Sequence, residues 1–251
     1  MKACMLRDFP APIAADPMKL VPLGDQAMLA YFADEPAAVE FAARARALSP
    51  AWLHDIVPAY TSVGVFFDPE QVRSAEVAAW LTNLASDPGA AAPERLDPRT
   101  FHIPVCYELQ HDLARVGTHT GLQPEDVIRL HTESEYRVYA IGFVPGFPYL
   151  GYLPPELCGV GRLPSPRARV EPGSVAITGR QTAIYPLPSP GGWNLIGRTP
   201  LVIVDVAIGF FPLRVGDRIR FRPINRAEYR RTEGTRLGPA HGGGWRVEGE
   251  G

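Results

Sequence analysis

Apolar residues recur at helical spacing in two segments of the first third of the chain, residues 36–48 and 70–86. Shorter runs typical of strands surround them, at residues 19–32, which are centred on a Gly24-Asp25 turn, and at 54–60, 62–67 and 100–107. The resulting order, β-α-β-β-α-β, predicts a ferredoxin-like domain in which two helices cover one face of an antiparallel sheet.

A segment without periodicity separates this region from the rest of the chain. Pro, Gly and Ala dominate it, so it predicts an interdomain linker. We therefore expect an α/β N-terminal domain at 19–86, a linker at 87–98 and a second domain at 99–230. The strand at 100–107 is compatible with either side of the linker. Residues 1–18 are expected to form a flexible leader, and the glycine-rich residues 231–251 a loosely held tail.

Beyond the linker the pattern changes from helical to extended. Residues 110–131 predict helices, and from residue 136 onward short extended runs alternate with Gly and Pro. Many short strands separated by turns are typical of a barrel or sandwich. In the last run, arginines at 218, 220 and 222 alternate with apolar residues, which predicts a solvated outer face. The runs are at 136–143, 173–179, 181–186, 193–200, 201–206 and 217–224.

Composition narrows the classes of function. A formal net charge of −2, with 46% hydrophobic and 21% charged residues, predicts a globular protein without an electrostatic footprint for nucleic acid. No apolar run approaches the roughly 18 residues of a membrane span, and the N-terminus lacks a signal core, so we expect a cytoplasmic location without membrane contact. The cysteines Cys4, Cys106 and Cys158 are far apart, which argues against a metal site or a disulfide framework.

Common phosphate-binding and hydrolase motifs are missing from the sequence. It contains no GxxxxGK[ST], no GxGxxG after a strand and no GxSxG. Lysine occurs only at Lys2 and Lys19. A bound anion would therefore be held by arginine, backbone N–H groups or helix ends.

Polar residues instead lie in segments framed by glycine and proline, at 142–150, 164–186 and 189–200. Loops with preset geometry, aromatic walls and a few polar groups are typical of a small-molecule pocket. The same segments are also compatible with barrel corners whose polar groups only satisfy the backbone. The candidate polar residues are Arg167, Arg169, Thr178, Gln181, Ser189 and Arg198.

Residues 142–155, GFVPGFPYLGYLPP, are the most unusual of these segments. Proline and glycine interrupt them too often for a helix, and the prolines argue against a central strand. The segment is also too apolar for an ordinary surface loop. We therefore expect a rigid loop at a strand exit, which serves either as a pocket wall or as a docking surface for another protein.

Three long segments resemble the KipI family, whose members are also called the 5-oxoprolinase B subunit or allophanate hydrolase subunit 1. The likeness runs from about residue 19 to 223 and implies a small α/β N-terminal domain followed by a cyclophilin-like β-barrel. Ala183 stands where the family pattern leads us to expect glycine, and residues 206–211 are atypical. The segments are HTGLQPEDVIRLHTESEYRVY (119–139), YAIGFVPGFPYLGYLP (139–154) and GSVAITGRQTAIYPLPSPGGWNLIGRTP (173–200).

The resemblance also implies a function. Such a chain would be the B subunit of a complex that opens 5-oxo-L-proline to L-glutamate, using ATP with Mg²⁺ that the complex binds and this chain alone does not. Its partners would be a KipA-type protein as the C subunit and a LamB/YcsF-type protein as the A subunit. Two alternatives stay open: an inhibitor of a sensor histidine kinase, and half of a urea- or allophanate-type carboxyltransferase.

Within such a complex the chain would contribute part of a shared pocket and have little activity alone. No residue is an obvious nucleophile, so no catalytic residue is predicted. We expect Arg198 or Arg167 to hold a carboxylate or phosphate. Hydrogen bonds would come from Thr178, Gln181 and Ser189, and the walls from Phe143, Phe147, Tyr149 and Trp193.

Overall fold

The structure, a computed structural model, describes residues 18–87 and 99–238. The described residues divide into two compact units, residues 18–87 and residues 99–238, and each unit has a hydrophobic core of its own. Residues 1–17 of the predicted leader, 88–98 of the predicted linker and 239–251 of the predicted tail lie outside the described residues. Within those residues, no helix combines the length and apolarity needed to cross a membrane.

The first unit contains one antiparallel sheet and two helices. In chain order its elements are β1 (Lys19–Pro22), β2 (Ala27–Tyr31), α1 (Glu35–Leu48), β3 (Leu53–Ala59), β4 (Ser62–Phe67) and α2 (Ser74–Ser86). The strands pair in the order β1-β2-β4-β3. Side chains from both helices and from β2, β3 and β4 meet in its core.

The predicted ferredoxin-like domain is not confirmed. Strands β2, β4 and β3 lie side by side in the arrangement of that fold's first, third and second strands. The place that the fold's fourth strand would occupy is taken by β1. The reason lies in the turn at Gly24, which has φ +67° and folds residues 19–31 into a hairpin that pairs Lys19 with Tyr31. The strand expected at 100–107 belongs to the second unit.

The second unit is built around a seven-stranded mixed sheet. Its helices are α3 (Leu113–Thr120), α4 (Pro124–Glu133) and α5 (Arg226–Thr232), so the boundary predicted at residue 230 falls inside α5. Its strands are β5 (Thr100–Val105), β6 (Glu135–Ile141), β7 (Pro148–Gly151), β8 (Arg167–Val170), β9 (Ser174–Thr178), β10 (Gln181–Ile184), β11 (Ser189–Gly191), β12 (Asn194–Arg198) and β13 (Arg218–Pro223).

The sheet is nearly closed and barrel-like, consistent with the expected cyclophilin-like barrel. Its order is β12-β9-β10-β7-β6-β13-β5, with β13 and β5 parallel, and β8 and β11 form a separate pair. The two ends of the sheet meet at Cys106 and Arg198. The Cys106 N–H donates to the Arg198 carbonyl at 2.8 Å, and the Arg198 N–H donates back at 3.1 Å.

Three local predictions need correction. Residues 148–151, expected in a loop, form β7 in the middle of the sheet, which is possible because Pro148 is the first residue of the strand. Residues 201–206, expected to form a strand, make only isolated bridges, from Val202 to Arg236 and from Asp205 to Phe210. Leu237, in the predicted tail, is buried in the core of the second unit.

The expected solvated face of β13 is confirmed. Arg218, Arg220 and Arg222 are exposed, while Ile219 and Phe221 between them are buried. Arg218 and Arg220 both pair with Glu135 of β6, at 3.0 and 2.9 Å. The alternation therefore separates an ion-paired outer face from a side that faces the core.

A buried histidine lies in the core of the second unit. His131 of α4 is stacked on Phe221 at 4.5 Å between ring centroids. Its Nε2 is 2.9 Å from the Thr182 hydroxyl, which itself donates to the Ala176 carbonyl at 3.1 Å. Because that hydroxyl has one hydrogen, Nε2–H is the donor to Thr182, and Nδ1 accepts from the Tyr107 hydroxyl at 2.7 Å. Both ring nitrogens of the neutral imidazole therefore have a hydrogen-bond partner.

Burial lowers the pKa of His131 from 6.5 to about 3. The unfolded chain therefore binds a proton at this residue between those two pH values while the folded chain does not, so the free energy of unfolding falls as the pH falls below 6.5. We expect His131 to reduce it by about 2 kcal/mol between pH 7 and pH 5. Urea unfolding at both pH values measures this loss.

His131→Gln should remove most of that pH dependence, whatever its effect on stability at pH 7. His102→Gln, at an exposed position of β5, is the matched control and should retain it. If both variants lose stability on acidification as much as the unmodified chain does, His131 is not the group responsible.

Candidate functional site

A cleft of about 480 Å³ opens on the second unit, beside the seam where the sheet closes. Its size is within the range of small-molecule sites. Four arginines contribute to its walls, together with the segment that follows β5 and the ends of β8, β9 and β12. The lining residues are Glu108, Leu109, Gln110, His111, Arg167, Arg169, Val170, Glu171, Ser174, Leu195, Arg198 and Arg226.

Arg198 lies at the seam itself. Its backbone forms the closing bridge with Cys106, so the position of its side chain depends on barrel closure. The side chain is half-buried, and its Nε donates to the Pro172 carbonyl at 2.9 Å. That bond leaves the two terminal nitrogens available, and Arg198 has no ion pair within residues 18–87 and 99–238. A half-buried guanidinium in this state is suited to bind an anion.

Arg167 is held by a buried carboxylate. Its Nη2 donates to Asp112 Oδ1 at 2.8 Å, and Asp112 Oδ2 accepts the Leu195 N–H at 2.7 Å. Asp112 thereby ties β8 to β12 across the cleft wall. The Arg167 Nη1 is buried and has no hydrogen-bond partner in the described part of the chain. A buried donor of this kind is costly unless a ligand or water satisfies it.

The remaining two arginines are exposed and paired. Arg169 contacts Glu171 at 2.7 Å, and Arg226 contacts Glu108 at 3.2 Å. The hydrogen bond from Arg169 lowers the pKa of Glu171, which keeps that carboxylate charged. These solvent-exposed pairs are weak, so an incoming anion can compete for either arginine.

Two of the nine predicted binding residues, Arg167 and Arg198, line this cleft, as does the further candidate Arg169. Three of the predicted aromatic walls, Phe147, Tyr149 and Trp193, belong instead to a packed cluster that shares Val170 and Leu195 with the cleft lining. Phe147 is 1% exposed, and its ring centroid lies 4.9 Å from Tyr149, 5.1 Å from Tyr185 and 5.9 Å from Trp193. Ala176 and Ala183 pack with these rings, whereas Val175, Ile177 and Ile184 pack in the main core. The alternation along β9 and β10 thus gives the sheet two apolar faces.

The three predicted hydrogen-bonding residues do not line the cleft either. Thr178 is buried and donates to the Val160 carbonyl at 3.2 Å. Gln181 is half-buried at the start of β10, where it pairs with Thr178. Ser189 is buried at the start of β11, and its hydroxyl has no hydrogen-bond partner among the described residues.

Phe143 is the exposed member of the aromatic set. It is 61% exposed, and its backbone has φ +69°, an unusual value for a bulky residue. The turn that carries it packs against residues 204–211: a Cβ on Gly146 would lie 2.2 Å from Val204 and 3.2 Å from Phe211. We call the exposed apolar residues of these two segments the apolar patch: Phe143, Val206, Ile208 and Phe211.

Several residues of the cleft had no signal in the sequence. Asp112 and Arg167 are 55 residues apart, and only the tertiary fold brings them together. Glu108 and His111 follow β5 in a segment with no motif, and Arg226 belongs to a short helix after the last strand. An alternating strand pattern identifies the faces of a strand, but it does not reveal which strand ends meet.

The comparisons with known proteins agree with this architecture. The family model for the carboxyltransferase domain, subdomain C and D, matches residues 18–208, about three quarters of the chain. The chain belongs to this family. It is also 37% identical over 198 residues to the 5-oxoprolinase B subunit of Bacillus subtilis (strain 168), a match that covers 70% of this chain and 77% of the relative. The likeness to the KipI family is thereby confirmed.

Two further curated relatives carry the same name. The chain is 48% identical to the 5-oxoprolinase B subunit of Escherichia coli O157:H7 and 49% identical to that of Haemophilus influenzae. These matches cover 52% and 43% of this chain, and 62% and 51% of the relatives.

Solved structures reproduce the fold. The protein TTHA0988, in one of its crystal forms, matches with a TM-score of 0.69 and 38% identity over 80% of this chain, but the match covers only 40% of that longer chain. The urea amidolyase of K. lactis matches 94% of this chain with a TM-score of 0.68, covering 17% of its own length. At 16% identity, the latter likeness shows the fold alone.

The Asp112 contacts give a test of how the cleft is held. Asp112→Ala leaves both the Arg167 guanidinium and the Leu195 N–H without an acceptor, so we expect a loss of about 2–4 kcal/mol in the free energy of unfolding. Glu171→Ala, which removes a solvent-exposed ion pair of the same cleft, should cost much less than Asp112→Ala. Urea unfolding of both variants measures the difference. Equal losses would contradict the structural role given to Asp112.

Proposed function

We propose that the chain is the B subunit of an ATP-dependent 5-oxoprolinase complex, which opens 5-oxo-L-proline to L-glutamate, and that its arginine cleft supplies part of a shared active site. The observation that carries the proposal is the relative from B. subtilis named as the 5-oxoprolinase B subunit, with 37% identity over 77% of its length. The relatives from E. coli O157:H7 and H. influenzae support the same assignment, although over 62% and 51% of their lengths.

The reaction explains why an arginine cleft is useful. The substrate is a five-membered lactam with one carboxylate, and its amide carbonyl is a poor electrophile. Transfer of a phosphoryl group from ATP to the lactam oxygen makes the ring carbon reactive toward water. Arg198 would bind the carboxylate or the phosphoryl group bidentately. The Arg167 Nη1, which has no hydrogen-bond partner among the described residues, would donate a further hydrogen bond.

The chain is proposed to act together with other proteins. The cleft residues include arginines and carboxylates that can bind and orient a ligand, but no serine, cysteine or threonine of the cleft is paired with a histidine base within the described residues. ATP with Mg²⁺ would be bound by the assembled complex. The partners would be a KipA-type protein and a LamB/YcsF-type protein, and the chain alone would have little activity.

The apolar patch is the proposed docking surface for the KipA-type partner. Exposed aromatic and aliphatic side chains that adjoin one another typically mark protein–protein contacts. The name of the B. subtilis relative, which is that of a subunit, supports an occupant from the same multi-subunit complex.

Arg198→Gln tests the role of the cleft. In the reconstituted three-protein complex, loss of a charged, bidentate contact should lower kcat/KM for 5-oxoproline about 10- to 150-fold. The measurement is ATP-dependent release of glutamate. Arg218→Gln, on the ion-paired outer face of β13, is the control and should leave the kinetics unchanged.

Two results would count against the proposal. Unchanged kinetics for Arg198→Gln would remove that arginine from the site. Conversion of 5-oxoproline at full rate by the purified chain without partners would contradict a shared active site.

Phe143→Ser tests the docking surface. It removes the most exposed side chain of the apolar patch without opening a core cavity, so we expect weaker co-purification with the KipA-type partner and an unchanged free energy of unfolding. Leu48→Ser, at an exposed apolar position of α1, is the control and should not affect assembly. If Phe143→Ser assembles normally but raises KM, the turn acts as a pocket wall instead.

A carboxyltransferase role is the second candidate, because the family model carries that description. The discriminating measurement is transfer of a carboxyl group between biotin and urea, with the same three-protein preparation. Such transfer without ATP-dependent release of glutamate would favour the second candidate.

A further inference from the structure

A smaller cleft of about 220 Å³ adjoins the one already described. The two share Leu109, Arg198 and Arg226 in their walls, so Arg198 lies between them. The smaller cleft is completed by α5, which contributes Tyr229 and Arg230, and by Glu233 just beyond it. The family match ends at residue 208, so α5 lies outside the matched region.

The helix is anchored beside the seam of the barrel. Asn225 caps it by accepting the Glu228 N–H at 2.9 Å, and the buried Tyr229 packs with Cys106 and Ile224. Cys106 is the residue that bridges to Arg198. The same contact that closes the barrel therefore fixes α5 next to the Arg198 side chain.

The walls of the smaller cleft are strongly positive. Their charged residues are three arginines, at 198, 226 and 230, and one glutamate, Glu233. Arg226 is partly compensated by Glu108, whereas Arg198 and Arg230 have no ion pair among residues 18–87 and 99–238. Arg226 and Arg230 are also four residues apart on one helix, a spacing at which like charges repel. A bound anion would relieve this repulsion.

We propose that this smaller cleft is a phosphoryl-binding compartment, in which Arg198 and Arg230 hold a phosphate group that carries no nucleoside. A phosphate group is close to a dianion at neutral pH and has three acceptor oxygens, which matches several convergent guanidinium groups. A carboxylate needs only one bidentate arginine. The aromatic ring in the lining, Tyr229, is buried and offers no open face on which a nucleobase could stack.

The compartment would add a phosphate-binding site to the proposed function. It rests on that function only for where the phosphate comes from. A 5-oxoproline phosphorylated on its lactam oxygen carries the carboxylate and the phosphoryl group on the two ring carbons that flank the nitrogen. Adjoining clefts that share Arg198 would receive the two groups separately. Free phosphate, released when the ring opens, has the same chemistry and would bind in the same place.

The test is titration of the full-length chain with inorganic phosphate by calorimetry at low ionic strength. We expect saturable binding that Arg230→Gln and Arg198→Gln each weaken about tenfold, as expected for loss of one charge-assisted contact. Arg231→Gln is the matched control, because it removes the same charge from the adjacent, exposed position of α5 that does not line the cleft. Its affinity should stay within about twofold of the unmodified chain.

Absence of saturable binding, or equal weakening of phosphate binding by Arg230→Gln and Arg231→Gln, would contradict the proposed compartment.

A comparison of tripolyphosphate with ATP tests whether the compartment binds a phosphate group without a nucleoside. Equal affinities support recognition of phosphate alone, whereas ATP binding about tenfold more tightly would overturn it in favour of a nucleotide site.

The reconstituted complex separates this inference from the proposed function. If the complex releases glutamate but Arg230→Gln changes neither phosphate binding nor kinetics, the compartment is wrong and the function stands. If phosphate binding depends on Arg230 but the complex does not act on 5-oxoproline, the function is wrong and the compartment stands.

Discussion

Closure of the barrel between Cys106 and Arg198 is the contact on which the candidate site depends. These residues extend the two strands at opposite ends of the sheet, and their mutual backbone hydrogen bonds join those ends. Gly197 makes the approach possible, because a Cβ there would lie 2.6 Å from a methyl group of Val105. The segment that follows β5 is thereby brought against β12, and the cleft forms between them. Without closure, Arg198 would lie at an open sheet edge.

The cleft also has to hold several like charges at close range. Carboxylates placed beside individual arginines solve most of this problem: Asp112 compensates Arg167, Glu171 compensates Arg169 and Glu108 compensates Arg226. Each pair restrains a guanidinium while leaving some of its donors unused. Arg198 differs from these three arginines, because a neutral carbonyl oxygen orients its side chain and its positive charge remains available. A site built in this way attracts an anion without requiring one for folding.

Sequence patterns predicted elements well where one face of a strand or helix is buried. The helices at 36–48 and 70–86 and the outer arginine row of β13 are examples, because a single period determines which side faces the core. Sequence patterns gave wrong predictions where the fold depends on which strands pair with each other. One example is β1, which occupies the sheet position expected of a later strand. The two site arginines were identified from their framing segments, whereas Asp112 and α5 depend on contacts across many residues.

The composition of residues 142–155 led to the prediction of a loop, whereas residues 148–151 form a strand. Its strand β7 is paired on both sides, with Leu150 buried in the main core and the half-buried Tyr149 against the aromatic cluster on the other face. Pro148 is tolerated at the start of the strand, and Gly146 permits the close approach of Val204. These residues serve folding, but Phe143 does not fit that explanation. It combines a left-handed backbone, which costs about 1 kcal/mol or more, with a largely exposed ring. Its ring makes one edge contact, with Phe147 at 5.6 Å between centroids, and otherwise stays largely exposed. Phe143 is therefore the residue proposed for docking, whereas Phe147 serves packing.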